Sequence, residues 1–225
     1  MNLSLSKYDL QQYVSKQLNY FFPDNNLIDL GKFDSVFDLT INRIEHCFQH
    51  MVYERYNKNG QTILNHLYSD QYLIFLWFLA NTLWKEGADP KVASKLYYLN
   101  KSLHTFDCMY DTELPNIFFI SHGIGTMLGK AKYEDYFIAM HGCTVGSQNG
   151  NYPKFGKRVT LTSHSSVIGN CLIGENVSIS NNTSVFERDI PPNTLVYNDP
   201  ETGKLILKES KAKYRRQVFR EDLGN

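Results

Sequence analysis

The sequence predicts an α+β chain: a helical domain first, then a parallel β-helix built from six-residue units, then a short C-terminal tail or helix. Three observations predict it. Apolar residues over the first hundred positions recur at threes and fours, as one face of a helix requires. After about Phe106 that periodicity fades, while β-branched residues, Gly and Asn rise. From Phe155 to Ile190 an apolar residue then returns at every sixth position. Neither a helix nor an ordinary strand has that period. The boundaries read from the sequence are 1–106, 107–198 and 199–225.

The helices follow in order. One is predicted from about Ser6 until Pro23 interrupts it, since proline has no amide hydrogen to give. Phe33, Val36, Phe37, Thr40, Ile41, Ile44, Phe48, Met51 and Val52 draw a second apolar stripe, with Asn59–Gly60 as its stop. "YLIFLWFLANTL", Tyr72–Leu83, falls short of the roughly 20 residues that span a bilayer. Followed by Lys85–Glu86, it reads as a core helix. Asp89 before Pro90 reads as an N-cap with proline in the first turn, opening a helix towards His104.

The hexads are FGKRVT, LTSHSS, VIGNCL, IGENVS, ISNNTS and VFERDI. Their lead residues are Phe155, Leu161, Val167, Ile173, Ile179 and Val185. Four places later stand Val159, Ser165, Cys171, Val177, Thr183 and Asp189, mostly small. A fixed short repeat means one unit stacked on copies of itself. With one strand and one corner per hexad, three hexads close a triangular turn and the lead residues stack inside it. Upstream the pattern is looser, through Leu114, Ile120, an irregular Thr126–Lys132 and Phe137–Thr144. The polar loop Ser147–Lys154 interrupts it.

Composition narrows the function. The chain has 225 residues with 23 basic and 23 acidic side chains. That balance gives no electrostatic case for nucleic acid or an anionic membrane as main partner. Cys47, Cys108, Cys143 and Cys171 are scattered and read as reduced, buried thiols of a cytoplasmic protein. The N-terminus has no basic region leading into an apolar run, so no signal peptide is expected. His46 and His50 share a helix face without a third ligand nearby, and no metal site is expected there.

The hexads and their neighbours resemble a known family, the hexapeptide-repeat acyltransferases, and within it the serine acetyltransferase branch. "VIGNCLIGENVSI", "DIPPNT", "HGCTVG" and "ANTLWKEG" carry the resemblance, which covers roughly Leu79 to Thr194. It implies a left-handed β-helix, acetyl-CoA as co-substrate, no metal, and a homotrimer with sites between subunits. It also implies a possible pairing of two trimers through the N-terminal helices.

Acyl transfer from a thioester needs a base, oxyanion donors and an aligned thioester. By the resemblance His122, in "FFISHGIG", is the general base. Asp107, fifteen residues earlier, is its orienting carboxylate, with Asp111 as fallback. His141 falls in the acceptor cleft, with Ser121, Asn151 and Tyr152 as further acceptor contacts. Gly146, Ser147, Ser163 and Asn181 fall along the pantetheine arm, and Lys154 with the Lys211–Arg216 cluster are candidates for the phosphates. His164 sits in a repeat corner and is expected at the surface.

Departures bear on the acceptor. Ser121 stands where the family has Asp. Asn151 and Tyr152 stand where it has Arg and His. A neutral amide cannot replace a guanidinium fork on a carboxylate. The expected activity is therefore O-acetyl transfer to a sugar-type hydroxyl. Serine O-acetylation, N-acetylation of an amino sugar, and an inactive assembly module are the alternatives. Ser180 and Asn181 stand where the family has a smaller Gly-Ala pair, and a narrower groove is expected there. The chain closes on Gly224–Asn225, so no complex with a cysteine synthase is expected.

Overall fold

The computed structural model describes residues 1–210 and 217–220. The chain divides into two compact units, Met1–Asp111 and Thr112–Asn225.

The first unit is helical with one small sheet. Strand β1 (Asn2–Leu3) precedes α1 (Lys7–Phe21), whose N-cap Ser6 accepts from the Asp9 amide. α2 (Asp34–Phe48) follows a 3-10 turn, Leu30–Phe33. β2 (Asn57–Lys58) and β3 (Gln61–Leu64) form a hairpin, and β1 pairs parallel with β3. The hairpin turns on Asn59 and Gly60, both at positive φ. The predicted helix stop is wrong: α2 ends at Phe48, short of Met51 and Val52, and Asn59–Gly60 is instead a tight primed turn that reverses a strand.

α3 (Ser69–Lys85) is buried at every position from Asp70 to Leu83. A helix apolar all round belongs inside a core, as its sequence predicts. Its few polar groups are satisfied: Asn81 donates to the Tyr110 carbonyl and accepts from Arg43, and Gln71 donates to the Arg55 carbonyl. α4 (Pro90–His104) opens on the Asp89 cap, whose carboxylate accepts from the Lys91 amide. Among the described residues no helix is long and apolar enough to cross a membrane.

The second unit is a parallel β-helix. Its strands run β4 (Phe118–Ile120), β5 (Met127–Leu128), β6 (Lys132–Tyr133), β7 (Phe137–Ala139), β8 (Thr144–Gly146), β9 (Lys154–Phe155) and β10 (Thr160–Leu161). They continue as β11 (Ser166–Ile168), β12 (Leu172–Ile173), β13 (Ser178–Ile179), β14 (Ser184–Phe186), β15 (Thr194–Asn198) and β16 (Leu205–Glu209). Successive strands pass to successive faces, giving three sheets. The first is ordered β16-β15-β13-β10-β7-β4, the second β14-β11-β8-β5, the third β12-β9-β6. After Asn198 the chain doubles back, and β16 runs antiparallel to β15.

Every lead residue of the hexads points inward, and Leu161, Val167, Ile173, Ile179 and Val185 are fully buried. Leu161 pairs with Ile179, a step of eighteen residues or three hexads. The residues four places later are interior as well: Val159, Ser165 and Val177 are fully buried, and Cys171 and Thr183 nearly so. Smallness there reflects inward packing at a corner. Asp189, the exception, is exposed and accepts from the Leu172 amide. Burying one such aliphatic side chain stabilises by about 1.5–3 kcal/mol.

All four cysteines are buried. Burial pushes the Cys143 and Cys171 thiols above their usual range, so both stay protonated at neutral pH.

Candidate active site

The structure places the candidate residues on two corners of the β-helix, except Asp107, which the sequence boundaries put in the β-helix and which instead lies at the end of the helical unit. The corner between the first and second sheets is crossed four times, by residues 121–126, 140–143, 162–165 and 180–183. Backbone bonds tie these crossings together. The Gly142 amide donates to the Ile124 carbonyl, His164 to His141, and Asn182 to Ser163. His141, Ser163 and Asn181 thereby form one column. Gly142, His164 and Asn182 form the next, all at positive φ.

His122 lies on the first crossing, exposed and itself at φ 55°. Its carbonyl accepts from the Ile124 amide, which closes a tight turn and projects the ring outward. The His141 ring lies 6.4 Å from that of His122, centroid to centroid, and 5.0 Å from that of His164. His141 Nδ1 also lies 3.3 Å from Ser163 Oγ. Ser121 is half-buried, with its amide donating to the Ala139 carbonyl. The structure thus gathers Ser121, His122, His141, Ser163 and Asn181 along one edge.

The other candidates of this unit share the next corner. Gly146 ends β8, and Ser147 begins the loop after it. Gln148 and Asn151 close that loop as an antiparallel bridge around Asn149 and Gly150, both at positive φ. Asn151 is exposed. Tyr152 folds back over Gly129, where an added Cβ would come within 2.8 Å of the tyrosine ring. Lys154 is exposed on β9, while the Lys211–Arg216 cluster lies outside the described residues.

Asp107 belongs to the helical unit and His122 to the β-helix. The Asp107 carboxylate accepts from Tyr97 Oη at 2.7 Å and from Lys101 Nζ at 2.6 Å. Burial acts to raise its pKa, but the bonds from Lys101 and Tyr97 outweigh it and hold the carboxyl below the usual range. It is ionised at neutral pH. Among the described residues no cluster of His, Cys, Asp or Glu is arranged to hold a metal ion. His46 and His50 face each other edge-on, and His50 Nδ1 is taken by the His46 carbonyl.

His164 is exposed, as expected, but its ring is also packed against the site. The hexad phase does not announce this contact. His141 and His164 are 23 residues apart, off the eighteen-residue step because the loop at 147–152 intervenes.

An N-terminal helical unit followed in the chain by a three-sided parallel β-helix is the fold of the serine acetyltransferases, the hexapeptide-repeat class that the sequence resembles. A serine acetyltransferase from Brucella abortus has the same fold, with a TM-score of 0.66 at 18% identity over 91% of this chain and 84% of that one. The Brucella abortus enzyme in complex with coenzyme A gives 0.63 at 17% identity, over 92% and 84%. In sequence, a serine acetyltransferase of Synechococcus elongatus is 32% identical over 124 residues, 53% of this chain and 50% of the relative. The chain thus spans about half the length of that curated relative. No family model matches the chain.

Proposed function

We propose that this protein transfers the acetyl group of acetyl-CoA to a hydroxyl of a small acceptor, with His122 as general base. The observation that carries the reading is the exposed His122 imidazole, turned outward on a β-helix corner beside His141. The relatives named serine acetyltransferases, and the related structure holding coenzyme A, support both donor and reaction class.

His122 takes the acceptor proton as the hydroxyl oxygen attacks the thioester carbonyl. The tetrahedral intermediate collapses, the carbon–sulfur bond breaks, and the imidazolium returns its proton to the departing thiolate. Asp107 is proposed to orient His122. Gly146, Ser147, Ser163 and Asn181 are proposed to line the pantetheine arm, with Lys154 near the phosphates. A cytoplasmic homotrimer, implied by the resemblance, completes the reading.

The relatives make L-serine the first acceptor to test. A specific observation favours a second reading, a neutral sugar-type hydroxyl. The four crossings 121–126, 140–143, 162–165 and 180–183 hold no Asp, Glu, Lys or Arg. Asn151 and Tyr152 add no charge to the neighbouring corner. A zwitterionic acceptor needs charged partners, whereas a polyol is satisfied by imidazole, hydroxyl and amide groups.

The test follows thiol release from acetyl-CoA with serine, free sugars and nucleotide sugars supplied in turn. His122→Ala should lower kcat by about 10²–10⁴. Turnover at the wild-type rate in that variant refutes the assignment. Release dependent on serine alone removes the sugar reading.

A further inference from the structure

His164 is placed where it serves neither the core nor the chain's conformational ease. Its backbone lies in the left-handed region, at φ 60°. The equivalent residues above and below are Gly142 and Asn182, at φ 69° and 55°. Glycine, and less often asparagine, adopts that region at least cost, while a residue with a larger side chain is disfavoured by about 1 kcal/mol. The side chain is exposed, so burial of apolar surface does not offset that cost.

What the imidazole does is hold its neighbours. It lies over Gly142 so closely that a Cβ there would come within 2.3 Å of His164 Nδ1. From that seat it meets His141 edge to face, with centroids 5.0 Å apart and ring planes at 87°. Ser163 Oγ engages His141 Nδ1 from the same coil as His164. One ring nitrogen of His141 is thus engaged and its plane fixed by two neighbours. The remaining nitrogen, Nε2, is the one that can meet a substrate. Beyond His141 stands His122, with ring planes at 62°.

We infer that His164 is a positioning residue: by fixing the His141 ring it sets the Nε2 that hydrogen-bonds the acceptor beside the hydroxyl His122 deprotonates. The inference deepens the proposed reaction and rests on His122 as its base. His141 touches the acceptor. His164 acts through His141. Two imidazoles, those of His122 and His141, each able to donate or accept, suit an acceptor that presents adjacent polar groups.

His164→Gly separates this role from a structural one. Glycine is the easiest occupant of the left-handed position, so the thermal midpoint should hold or rise. The acceptor KM should increase about tenfold, with kcat and the KM for acetyl-CoA near wild type. His141→Ala should raise the acceptor KM similarly, and the double substitution should add little beyond either alone. An unchanged acceptor KM in His164→Gly, or additive effects in the double variant, overturns the inference.

A measurement without substrate applies whatever the acceptor. In long-range ¹H–¹⁵N spectra the wild-type His141 ring should show one dominant tautomer, and His164→Gly should collapse it towards an exchange average. Unmoved His141 signals overturn the proposal. Failure of the underlying reading looks different, because His122→Ala would then turn over as fast as wild type whatever residue 164 is.

Discussion

Phe75 in the helical unit and Ile179 in the β-helix are both fully buried, yet they stand in different kinds of core. Phe75 meets Phe37 edge-on at 5.8 Å and stacks on Tyr72 at 5.7 Å, contacts reaching across two helices. Trp77 with Phe78, and Phe48 with Tyr56, extend the same irregular interlock. Ile179 instead sits between Leu161 and Val196, its register partners in the coils on either side. Each coil of a solenoid rests on its neighbours and repeats their packing. The helical core depends on particular shapes. The solenoid core depends on a pattern.

The largest expected break in this comparison is Phe75→Ala, which should destabilise the helical unit by about 3–5 kcal/mol. Both tryptophans of the chain, Trp77 and Trp84, lie on α3, so intrinsic fluorescence reports that unit. A denaturant midpoint unchanged by fluorescence would refute the shape-dependent account.

Next is an acid response. Burial pulls the His104 imidazole down to about 4, partly offset by its bond to Asn100. The unfolded ring titrates near 6.5. Between those values the unfolded state binds more protons, so the stabilisation is complete above pH 6.5 and declines as pH falls to about 4. The loss should reach at most about 3 kcal/mol. His104→Gln should flatten the fluorescence-monitored stability curve across that window. An equally steep curve in the variant removes His104 as the cause.

The smallest effect belongs to the solenoid. Ile179→Val should cost about 1 kcal/mol, read by far-ultraviolet circular dichroism. A loss as large as that of Phe75→Ala would erase the distinction between the two cores.

Much of the helical unit is legible in the chain because its signals are local. Ser6, the Asp89–Pro90 pair and the apolar run of α3 each act within a turn or two of the residues they govern. The β2–β3 hairpin is not, because two short strands around Asn59–Gly60 carry too few alternating residues to stand apart from a helix stop. The hexads name most of the inward residues from Phe155 to Val185, though not Thr160, which is fully buried. Leu114, Ile120 and Phe137 extend that interior less regularly.

What the sequence by itself determined is the period, and with it which side chains face inward, since a step of eighteen residues stacks like on like in a three-sided coil. The motif around His122 put that residue forward as the candidate base. The tertiary structure decided which side chains meet on the outside of a corner. The loop at 147–152 adds residues to one coil and shifts the count, so His141 comes to lie against His164, 23 residues on. Rings at that separation touch because backbone hydrogen bonds, rather than sequence distance, set the alignment of successive coils.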